Sequence, residues 1–474
     1  MQYTLSGLLI LLFCQLSLAQ QPVYQQVYDA YNDYREESIQ TRRFKHSDIE
    51  PILLKLDEEK GFEVNKLGES IEGRAIYDVT FGSGKTQVLL WSQMHGDEST
   101  ATMAGLDLFN FFMADDAFNE LRNTILNNIT VHFIPMLNPD GAEVFERRNA
   151  LGVDMNRDAL RLQSPESRIL KNIRDSLQAD FGFNLHDQSV YYTTGIKPEA
   201  ATISFLPPAY NYAKDINPVR ERAMQVIVEL NEALQHYIKG HVGRYNDDFE
   251  PRAFGDNIQK WGTSTILIES GGFPDDPEKQ RIRKLNFMIL VKALHSIATK
   301  NYKNYNREDY WNIPENERYL YDLLVRNVKK EINGKLYTVD VGINHYEAEY
   351  NEHSRYFKVG SIRELGDMST YYGYDMFDAR GMTAVPGKVY EEIQPDLHAV
   401  QKLDAMELIS QGYTTVRVKD MEGQEDIRRH LVLDVVSEDA SPTYTLEIGS
   451  RPNFILEEAG TPKYAVVNGF LREL

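Results

Sequence analysis

The stretch Val88-Leu-Leu-Trp91-Ser-Gln-Met-His95-Gly-Asp-Glu98 joins a short apolar run to a helical pattern over 99–114. The apolar run predicts a buried strand, so the polar residues after it are expected at the carboxyl edge of a sheet, where open α/β folds bind ligands. His95 and Glu98 are three residues apart and can face one metal ion if a helix begins here. Alone this pair is a weak signal, because a chain with 11 histidines and 71 acidic residues contains such pairs by chance.

Strand and helix patterns alternate on both sides of this stretch, from about residue 75 to 300. The alternation indicates an α/β domain with a mixed, mostly parallel sheet flanked by helices. We assign residues 20–305 to this domain. Short apolar runs predict its strands and longer amphipathic patterns predict its helices: strands at 131–136, 181–185 and 263–268, and helices at 164–177, 217–239 and 277–298.

The pattern changes after Asn301-Tyr-Lys-Asn-Tyr-Asn306, a polar segment that we interpret as a linker. Beyond it, short runs of alternating polar and apolar residues replace the helical patterns, for example at 413–418 and 444–448. A period of two is typical of half-buried strands. We therefore expect residues 310–474 to form a smaller, β-rich accessory domain, in which we identify no chemical motif.

The composition limits the class of function. The chain has 51 basic and 71 acidic residues, which gives a formal net charge of −20. This balance argues against a nucleic-acid binder, because neutralising phosphates requires clustered Lys and Arg. Cys14 is the only cysteine, so disulfides within the chain and Cys-ligated zinc are excluded. A transition-metal site must therefore use His and carboxylate ligands.

The first 19 residues carry no charged side chain. They contain the apolar run Leu8–Phe13, followed by small residues at Ser17 and Ala19. This pattern predicts a secretory signal peptide, residues 1–19, and therefore a secreted or periplasmic protein. A single membrane anchor and a lipid attached to Cys14 are the alternatives. No later segment has 18 uninterrupted apolar residues, so we expect no transmembrane span in the mature chain.

Two further polar residues stand at the ends of apolar strands. His186 follows the predicted strand at 181–185, and Glu269 ends another. A lone histidine in such a place is more often structural, but with His95 and Glu98 it completes a His2Glu set, one of the zinc sets that leave a position open for water. An unpaired carboxylate after a buried strand is costly, and desolvation raises its pKa, which suits a general base.

Two polar motifs lie between these residues. Asn138-Pro-Asp-Gly141 is ordinary turn chemistry by itself. The second motif is Arg147-Arg-Asn-Ala-Leu-Gly152-Val-Asp-Met-Asn156-Arg157-Asp158. Its arginines offer planar forks that suit a carboxylate or a developing oxyanion. Surface ion pairs are the alternative interpretation of the same residues.

Together these motifs resemble the zinc carboxypeptidases related to pancreatic carboxypeptidase A, the M14 peptidases. The resemblance covers residues 45 to about 300 and includes Gly68-Glu-Ser-Ile-Glu-Gly73-Arg, with His186 and Glu269 in the expected order. It implies a carboxypeptidase-like fold and a metallocarboxypeptidase that hydrolyses a C-terminal peptide bond. It also implies one zinc ion per chain.

The resemblance assigns metal and proton-transfer roles to single residues. The zinc ligands would be His95, Glu98 and His186. Asp154 would orient His95, as metal-binding histidines usually require. Glu269 would act as general base and then as general acid.

The resemblance also assigns the residues that contact the substrate. Arg147 would polarise the scissile carbonyl and hold the oxyanion. Asn156 and Arg157 would clamp the free terminal carboxylate of a peptide or peptide-like substrate. Tyr245 is the candidate for the tyrosine that covers the substrate. Alternatively, Tyr245 is an ordinary core or surface residue, one of the chain's 28 tyrosines.

Two residues depart from the family pattern. Asp158 follows Arg157 where the family often has Asn, and Asp187 follows His186 where a small hydroxyl residue is usual. We expect both on the substrate side of the site, so they put the substrate in doubt more than the metal.

Two other functions remain open. The same site could trim peptidoglycan stem peptides, whose ends also carry carboxylates. Arg252 and Lys260 could favour acidic side chains in a substrate, or could be exposed charges. The second alternative is a catalytically inactive binding module. The presence of every expected catalytic residue argues against it.

Overall fold

The computed structural model describes residues 22–474, which divide into two compact units. The first unit comprises residues 22–190 and 201–316, and the second comprises residues 191–200 and 317–474. The predicted signal peptide lies outside the described residues. Within the described part of the chain, we find no helix with both the length and the apolar character needed to cross a membrane.

Helices and strands alternate along the first unit, close to the predicted positions. The helices are α1 Val23–Asp29, α2 His46–Leu56, α3 Thr100–Met113, α4 Asn119–Asn128, α5 Pro139–Glu143, α6 Pro165–Leu177, α7 Pro218–Gln235, α8 Phe254–Lys260 and α9 Gln280–Thr299. The strands are β1 Phe62–Glu69, β2 Ala75–Gly82, β3 Thr86–Trp91, β4 Ile129–Ile134, β5 Phe181–Asp187, β7 Ile203–Leu206, β8 Val242–Arg244 and β9 Ser264–Ser270; β6, Thr193–Thr194, is in the second unit.

Two of the long helices begin with side-chain caps that the sequence encodes directly. Ser164 Oγ accepts a hydrogen bond from the backbone N–H of Ser167 at 3.2 Å. Asn217 Oδ1 accepts one from the backbone N–H of Arg220 at 2.9 Å. In both helices a proline occupies the first helical position, where no N–H partner is needed. These local signals explain why the starts of α6 and α7 are predictable.

The eight strands of the first unit form one mixed sheet in the order β1-β2-β4-β3-β5-β9-β7-β8. The central pairs β4-β3, β3-β5 and β5-β9 are parallel, and so is β7-β8, whereas β1-β2, β2-β4 and β9-β7 are antiparallel. The predicted mixed, mostly parallel sheet is therefore confirmed. Because β3, β5 and β9 run in the same direction, the polar residues that follow them meet at one edge.

Helices cover both faces of this sheet, which is why its strands are apolar on both sides. In β3, Val88 and Leu90 pack into the larger core with α3 and α9. Leu89 and Trp91 point to the opposite face, where they pack with α6 and α8. All four side chains have no exposed surface, so this strand is a rigid base for the loop that carries His95.

The second unit is β-rich, as predicted. Its strands are β6, β11 Leu320–Ile332, β12 Lys335–Tyr350, β13 Arg355–Gly366, β14 Tyr372–Asp378, β15 Met382–Pro386, β16 Lys388–Val389, β17 Gln394–Asp396, β18 Tyr413–Asp420, β19 Asp434–Ser437, β20 Phe454–Glu458, β21 Thr461–Val467 and β22 Phe470–Glu473, and β10 Asn316–Glu317 lies at its boundary. Its helices are α10 Leu397–Gln401, α11 Ala405–Ser410 and α12 Glu425–Arg428.

Most of these strands form a curled, eight-stranded sheet in the order β13-β12-β11-β15-β20-β21-β22, with β14 paired to β11. The curl brings β13 against the β21–β22 turn, where the Gly360 N–H donates to Asn468 Oδ1 at 2.9 Å. The strands β16 to β19 form a second, parallel sheet around β18. Val416 and Val418 of β18 pack in one core with Ile455 and Val467 of the curled sheet.

One local prediction in the C-terminal part is wrong. The segment 444–448 is not a strand. Tyr444 and Leu446 are buried and alternate with exposed residues, but no neighbouring strand pairs with them, and Tyr444 instead hydrogen-bonds Thr415 at 2.7 Å. The predicted linker Asn301–Asn306 contains a 3₁₀ turn in which Tyr302 is buried against Phe181.

Candidate active site

Three buried side chains from distant parts of the sequence converge at the carboxyl edge of the first sheet. His95 Nδ1 lies 2.8 Å from Glu98 Oε1, and His186 Nδ1 lies 2.6 Å from Glu98 Oε2. The two Nδ1 atoms are 3.1 Å apart. His95, Glu98 and His186 are 1%, 7% and 3% exposed, and their ligand atoms are close enough to hold one metal ion. We call these three residues the metal cluster.

The local fold positions the metal cluster. His95 and Glu98 lie in the turn between β3 and α3, and His186 is the next-to-last residue of β5. This turn packs closely on the Asn138–Gly141 motif after β4. A Cβ atom at Gly96 would lie 2.0 Å from the carbonyl carbon of Gly141, so only glycine fits between His95 and Glu98 at this point.

The Asn138–Gly141 motif is also tied to the β1–β2 hairpin. Asp140 Oδ1 accepts hydrogen bonds from Ser70 Oγ and from Arg74 Nη1, each at 2.7 Å. Its other oxygen accepts from the backbone N–H of Glu72 at 3.0 Å. The hairpin motif and the turn motif therefore act together as a scaffold behind the His95 turn.

Asp154 and Arg147 surround His95. Asp154 Oδ1 lies 3.2 Å from His95 Nε2, the ring nitrogen that points away from the metal cluster. Arg147 donates to Asp154 Oδ2 through Nε at 3.2 Å and Nη2 at 3.1 Å. Its Nη1 atom lies 3.0 Å from His95 Nδ1 and 3.1 Å from Glu98 Oε1. Arg147 is thus beside the ligand atoms, with 42% of its side chain exposed.

Burial and neighbouring charges shift the pKa values of all three side chains in the metal cluster. Burial lowers the pKa of His95, but the negative charge of Glu98 and the hydrogen bond to Asp154 outweigh it and raise the pKa to about 9. Burial raises the pKa of Glu98, yet the two histidines hold it well below its usual value. Burial dominates at His186 and lowers its pKa. The cluster therefore keeps an ionised carboxylate and an uncharged His186, a donor set that suits a divalent cation.

Glu269 lies directly beside the metal cluster. In the parallel pair β5-β9 it is level with His186, so both side chains leave the sheet on the same face. Within the described part of the chain, its carboxylate makes no hydrogen bond or ion pair. Burial and the negative charge of Glu98 raise its pKa well above the usual value for Glu. A carboxyl group of this kind can accept and return a proton near neutral pH.

Asn156 and Arg157 follow Asp154 in a 3₁₀ turn. The amide side chain of Asn156 accepts a hydrogen bond from the backbone N–H of Phe254 at 2.9 Å. Arg157 Nε lies 3.5 Å from Glu250 Oε2, and 40% of the Arg157 side chain is exposed. Arg252 donates to both oxygens of the same Glu250 carboxylate, through Nε at 3.0 Å and through Nη2 at 2.9 Å. The predicted carboxylate-binding arginine is therefore already paired with an internal carboxylate.

Tyr245 lies at a different level of the sheet. It follows β8, which runs in the direction opposite to β9. Its predecessor Arg244 is level with Phe205 and, through β7, with Ile268. Tyr245 is therefore below the edge that carries Glu269, and its role over a substrate stays a prediction.

Both departures from the family pattern make internal contacts instead of lining the substrate side. Asp158 is buried, and its two oxygens accept hydrogen bonds from the backbone N–H groups of Gln163 and Ser164, each at 2.9 Å. Asp187 accepts from Thr100 Oγ1 at 2.7 Å and pairs with Lys279 Nζ at 2.9 Å. The expectation that these carboxylates face the substrate is thus not met.

Sequence reasoning missed Lys279, Thr100 and Glu250. Each acts through a partner distant in the sequence, so no local motif marks it. Asp187 was the one available signal for the first two, because an acidic residue after a metal ligand needs a compensating cation. The sequence marks Arg252 as a candidate, but nothing near it marks its partner Glu250.

Comparisons with known proteins show which family part of this chain resembles. Residues 54–221 match the family model described as zinc carboxypeptidase. Part of the chain is 30% identical over 142 residues to carboxypeptidase SOL1 of Arabidopsis thaliana, covering 25% of this chain and 28% of that protein. It is 28% identical over 139 residues to the carboxypeptidase N catalytic chain of Homo sapiens, covering 25% and 30%. The chain thus spans less than a third of the length of these two relatives.

Among solved structures, the chain is similar to a metallo-carboxypeptidase from Burkholderia cenocepacia, with 17% sequence identity and a TM-score of 0.45. That similarity covers 54% of this chain and 70% of the other. The region that matches the family model contains the metal cluster, Arg147 and Arg157 but ends before Glu269. Residues 54–221 of this chain are thus similar to the zinc carboxypeptidases, the M14 peptidases.

Proposed function

We propose that this protein is a zinc-dependent metallocarboxypeptidase that removes the C-terminal residue of a peptide or peptide-like substrate. The observation that carries the proposal is the convergence of His95 Nδ1, the Glu98 carboxylate and His186 Nδ1, with Glu269 level with His186 on the next strand. A buried His2Glu set beside a carboxyl group with a raised pKa matches the needs of metal-assisted hydrolysis.

The metal cluster fits zinc by its donor chemistry. Two imidazole nitrogens and one carboxylate form a known catalytic set, and Asp154 holds the outer nitrogen of His95 as metal-ligating histidines require. The ligand atoms of His95, Glu98 and His186 all lie within 4.8 Å of one another, so these three residues would hold one zinc ion together. A zinc ion bound there supplies Lewis acidity, which lowers the pKa of a water to about 7 and polarises a carbonyl.

Glu269 would move the proton. Its raised pKa makes it a base that can take a proton from the attacking water and then deliver it to the leaving amine. Glu269 is level with His186 on the neighbouring strand β9, so its carboxylate lies next to the metal cluster. In this mechanism the same carboxyl group serves as base and acid.

Arg147 would hold the negative charge that develops on the carbonyl oxygen. Its guanidinium is beside the ligand atoms and partly exposed, and Asp154 fixes its Nε edge. Nη1, which contacts Glu98 and His95, is then the donor that can turn toward a substrate oxygen. Donors aimed at an oxyanion typically contribute about 10²–10³ in turnover.

Asn156 and Arg157 would bind the terminal carboxylate of the substrate; we call these two residues the carboxylate clamp. Only a free chain end satisfies such a clamp, which makes the enzyme an exopeptidase. The Glu250 ion pair means that a substrate carboxylate has to exchange with an internal one. Tyr245 and the export of the protein through residues 1–19 remain parts of the proposal that rest on the sequence.

The variant Glu269→Gln tests the mechanism. We expect kcat to fall by about 10²–10⁴, the range typical of general acid–base catalysis, while bound zinc stays unchanged. Glu308→Gln is the control, because Glu308 is an exposed residue of the first unit outside the site. Unchanged turnover in Glu269→Gln would exclude Glu269 as the base.

The natural substrate requires a separate screen. Peptides with varied C-terminal residues and peptidoglycan fragments are incubated with the protein, with and without a chelator. Release of single C-terminal amino acids that the chelator abolishes is the expected result. Cleavage of the muropeptides alone would move the proposal to stem-peptide trimming, and no chelator-sensitive cleavage of either kind would overturn it.

A further inference from the structure

Three chain segments meet at the proposed site. In each segment, a polar residue lies one or two positions after the side chain with a proposed role. Thr100 follows the Glu98 turn, Asp187 follows His186, and Ser270 follows Glu269. Asp187 and Ser270 share one further partner, Lys279, which precedes α9, and Thr100 hydrogen-bonds the same Asp187. Lys279 has no role in the proposed chemistry and does not belong to any motif.

The contacts form a closed network. Lys279 Nζ donates to Asp187 Oδ2 and to the backbone carbonyl of Ser270, both at 2.9 Å. Thr100 Oγ1 donates to the same Asp187 oxygen at 2.7 Å. The backbone N–H of Asp187 donates to Glu98 Oε2 at 3.1 Å. Lys279 is thus linked through hydrogen bonds to the strand ends that carry His186 and Glu269, and to the ligand Glu98.

The network is buried, which distinguishes it from a surface ion pair. The side chains of Lys279 and Asp187 are each 8% exposed, and Thr100 and Ser270 are fully buried. Lys279 also adopts a left-handed backbone conformation with φ of 53°, which is uncommon for a residue with a side chain. Such backbone conformations persist only where the surroundings enforce them. Removing either charge would leave the other buried without its partner.

We propose that Lys279 is a positioning residue for catalysis, which keeps the ends of β5 and β9 together so that His186 and Glu269 stay level with each other. This inference rests on the proposed function for its kinetic consequence, but not for its effect on the metal ligands. The proposal also explains why an acidic residue can follow His186. The negative charge of Asp187, which stands where the family usually has a small hydroxyl residue, is balanced by Lys279. Thr100 completes the link to the Glu98 turn.

A positioning role predicts a specific kinetic signature. The network touches the ends of the strands that carry a ligand and the base, whereas Asn156 and Arg157 lie on another segment. Loosening the network should therefore lower kcat and leave KM within about twofold. Loss of partners just outside a metal site typically costs about 10–100-fold in metal affinity or activity.

The test uses two lysines that resemble each other. Lys279→Met removes the cation of the network, and Lys292→Met is the matched control on α9. Lys292 also pairs with a buried carboxylate, Glu229, at 2.9 Å, and both side chains are nearly buried. We expect Lys279→Met to lose about 10–100-fold in kcat, while Lys292→Met keeps its turnover although it is destabilised. Equal kcat values in the two variants, at equal folded fractions, would overturn the proposal.

A second readout does not depend on peptide hydrolysis. The zinc-loaded full-length protein is mixed with an excess chelator, and the release of zinc is followed with time. We expect release about tenfold faster in Lys279→Met than in wild type or Lys292→Met. If no peptide is cleaved by wild type, the proposed function fails while faster release still supports the network. Unchanged release in Lys279→Met would overturn the network itself.

Two more variants separate the loss of positioning from a loss of folding. Asp187→Asn combined with Lys279→Met removes both buried charges, so it should fold better than either single variant and still release zinc faster. Thr100→Val keeps the shape of the side chain and removes one hydrogen bond to Asp187, and we expect a loss of several-fold in kcat with unchanged thermal stability. Wild-type kcat and zinc release in both variants would refute the positioning role.

Discussion

The metal cluster and the carboxylate clamp share Asp154 as a common neighbour but are built in different ways. The ligand residues of the metal cluster are at most 7% exposed and belong to a strand end and a turn fixed by close backbone packing. The clamp residue Arg157 is in a 3₁₀ turn, 40% of its side chain is exposed, and it pairs with Glu250 at 3.5 Å. The metal cluster is therefore preorganised, whereas in the proposed function Arg157 exchanges Glu250 for the carboxylate of the substrate.

For the proposed function, this difference predicts that the metal cluster controls the chemical step and the carboxylate clamp controls substrate affinity. Preorganised ligands need little rearrangement when a metal binds, so their loss should abolish the chemistry. A partly exposed ion pair contributes only about 0.2–1 kcal/mol, so its loss should shift substrate affinity by a small factor. Variants in the two regions should therefore differ by orders of magnitude, and that ranking can be tested.

The largest effect is expected from a ligand of the metal cluster. His186→Ala should bind no zinc and should hydrolyse substrate only at the rate of chelator-treated wild type, because two ligands do not hold the ion. Metal analysis of the purified protein measures this directly, with about one zinc per chain expected for wild type. The control is His132→Ala, since His132 also pairs with a buried aspartate, Asp78, but lies on β4. A variant that retained stoichiometric zinc would exclude His186 as a ligand.

The next effect concerns the arginine that links the two regions. Arg147→Met should lower kcat by about 10²–10³ while zinc stays bound, because one oxyanion donor is lost and no ligand is. The neighbouring Arg148 is the control, since its side chain donates only to the Gly152 carbonyl, at 2.9 Å, in the contacts of the described chain. If Arg148→Met were the more damaging change, the choice between these two arginines would be reversed.

The parts of the fold that sequence could predict are those with local signals. The apolar runs before His95, His186 and Glu269 have the length and composition of buried strands, and parallel strands with such ends bring the following residues to one edge. The caps at Ser164 and Asn217 mark helix starts. The metal cluster was predictable because each of its segments has such a signal.

The parts that could not be predicted depend on partners far away in the sequence. Tyr444 and Leu446 have the alternating burial of a strand, but a strand also needs a neighbour, which the pattern does not contain. Lys279 lies 92 residues after Asp187, so nothing local connects them. Glu250 likewise reaches Arg157 only because a loop returns to the 3₁₀ turn. Non-local ion pairs and missing strand partners are properties of the assembled fold.

The pH dependence of metal binding provides a smaller, graded effect. In the metal-free protein the pKa of His95 is raised to about 9, and zinc needs the neutral imidazole. Zinc binding therefore releases this proton below pH 9, and apparent affinity should rise by about tenfold per pH unit from pH 6.5 to 9 and then level off. Competition with a chelator of known pH dependence measures it.

The same proton has a consequence for stability with the opposite sign. A raised pKa contributes stability that is fully present below the unfolded value of about 6.5 and is lost as pH rises through about 9. The melting temperature of the metal-free protein should therefore fall across this window, because the ion pair of His95 with Glu98 is lost. The zinc-loaded protein should not show this fall, and a parallel loss in both forms would contradict the assignment.

The smallest effect tests the exchange of carboxylates at the clamp. Glu250→Gln removes the internal competitor for Arg157, so KM for a peptide with a free C terminus should fall by up to about fivefold, the equivalent of one exposed ion pair, with kcat unchanged. A peptide amide, which has no terminal carboxylate, should show no such gain. The matched control is Glu308→Gln, which breaks an exposed pair with Arg307 elsewhere in the first unit. A higher KM in Glu250→Gln would mean that Glu250 orients Arg157 for the substrate instead of competing with it, and the clamp would then be as preorganised as the metal cluster.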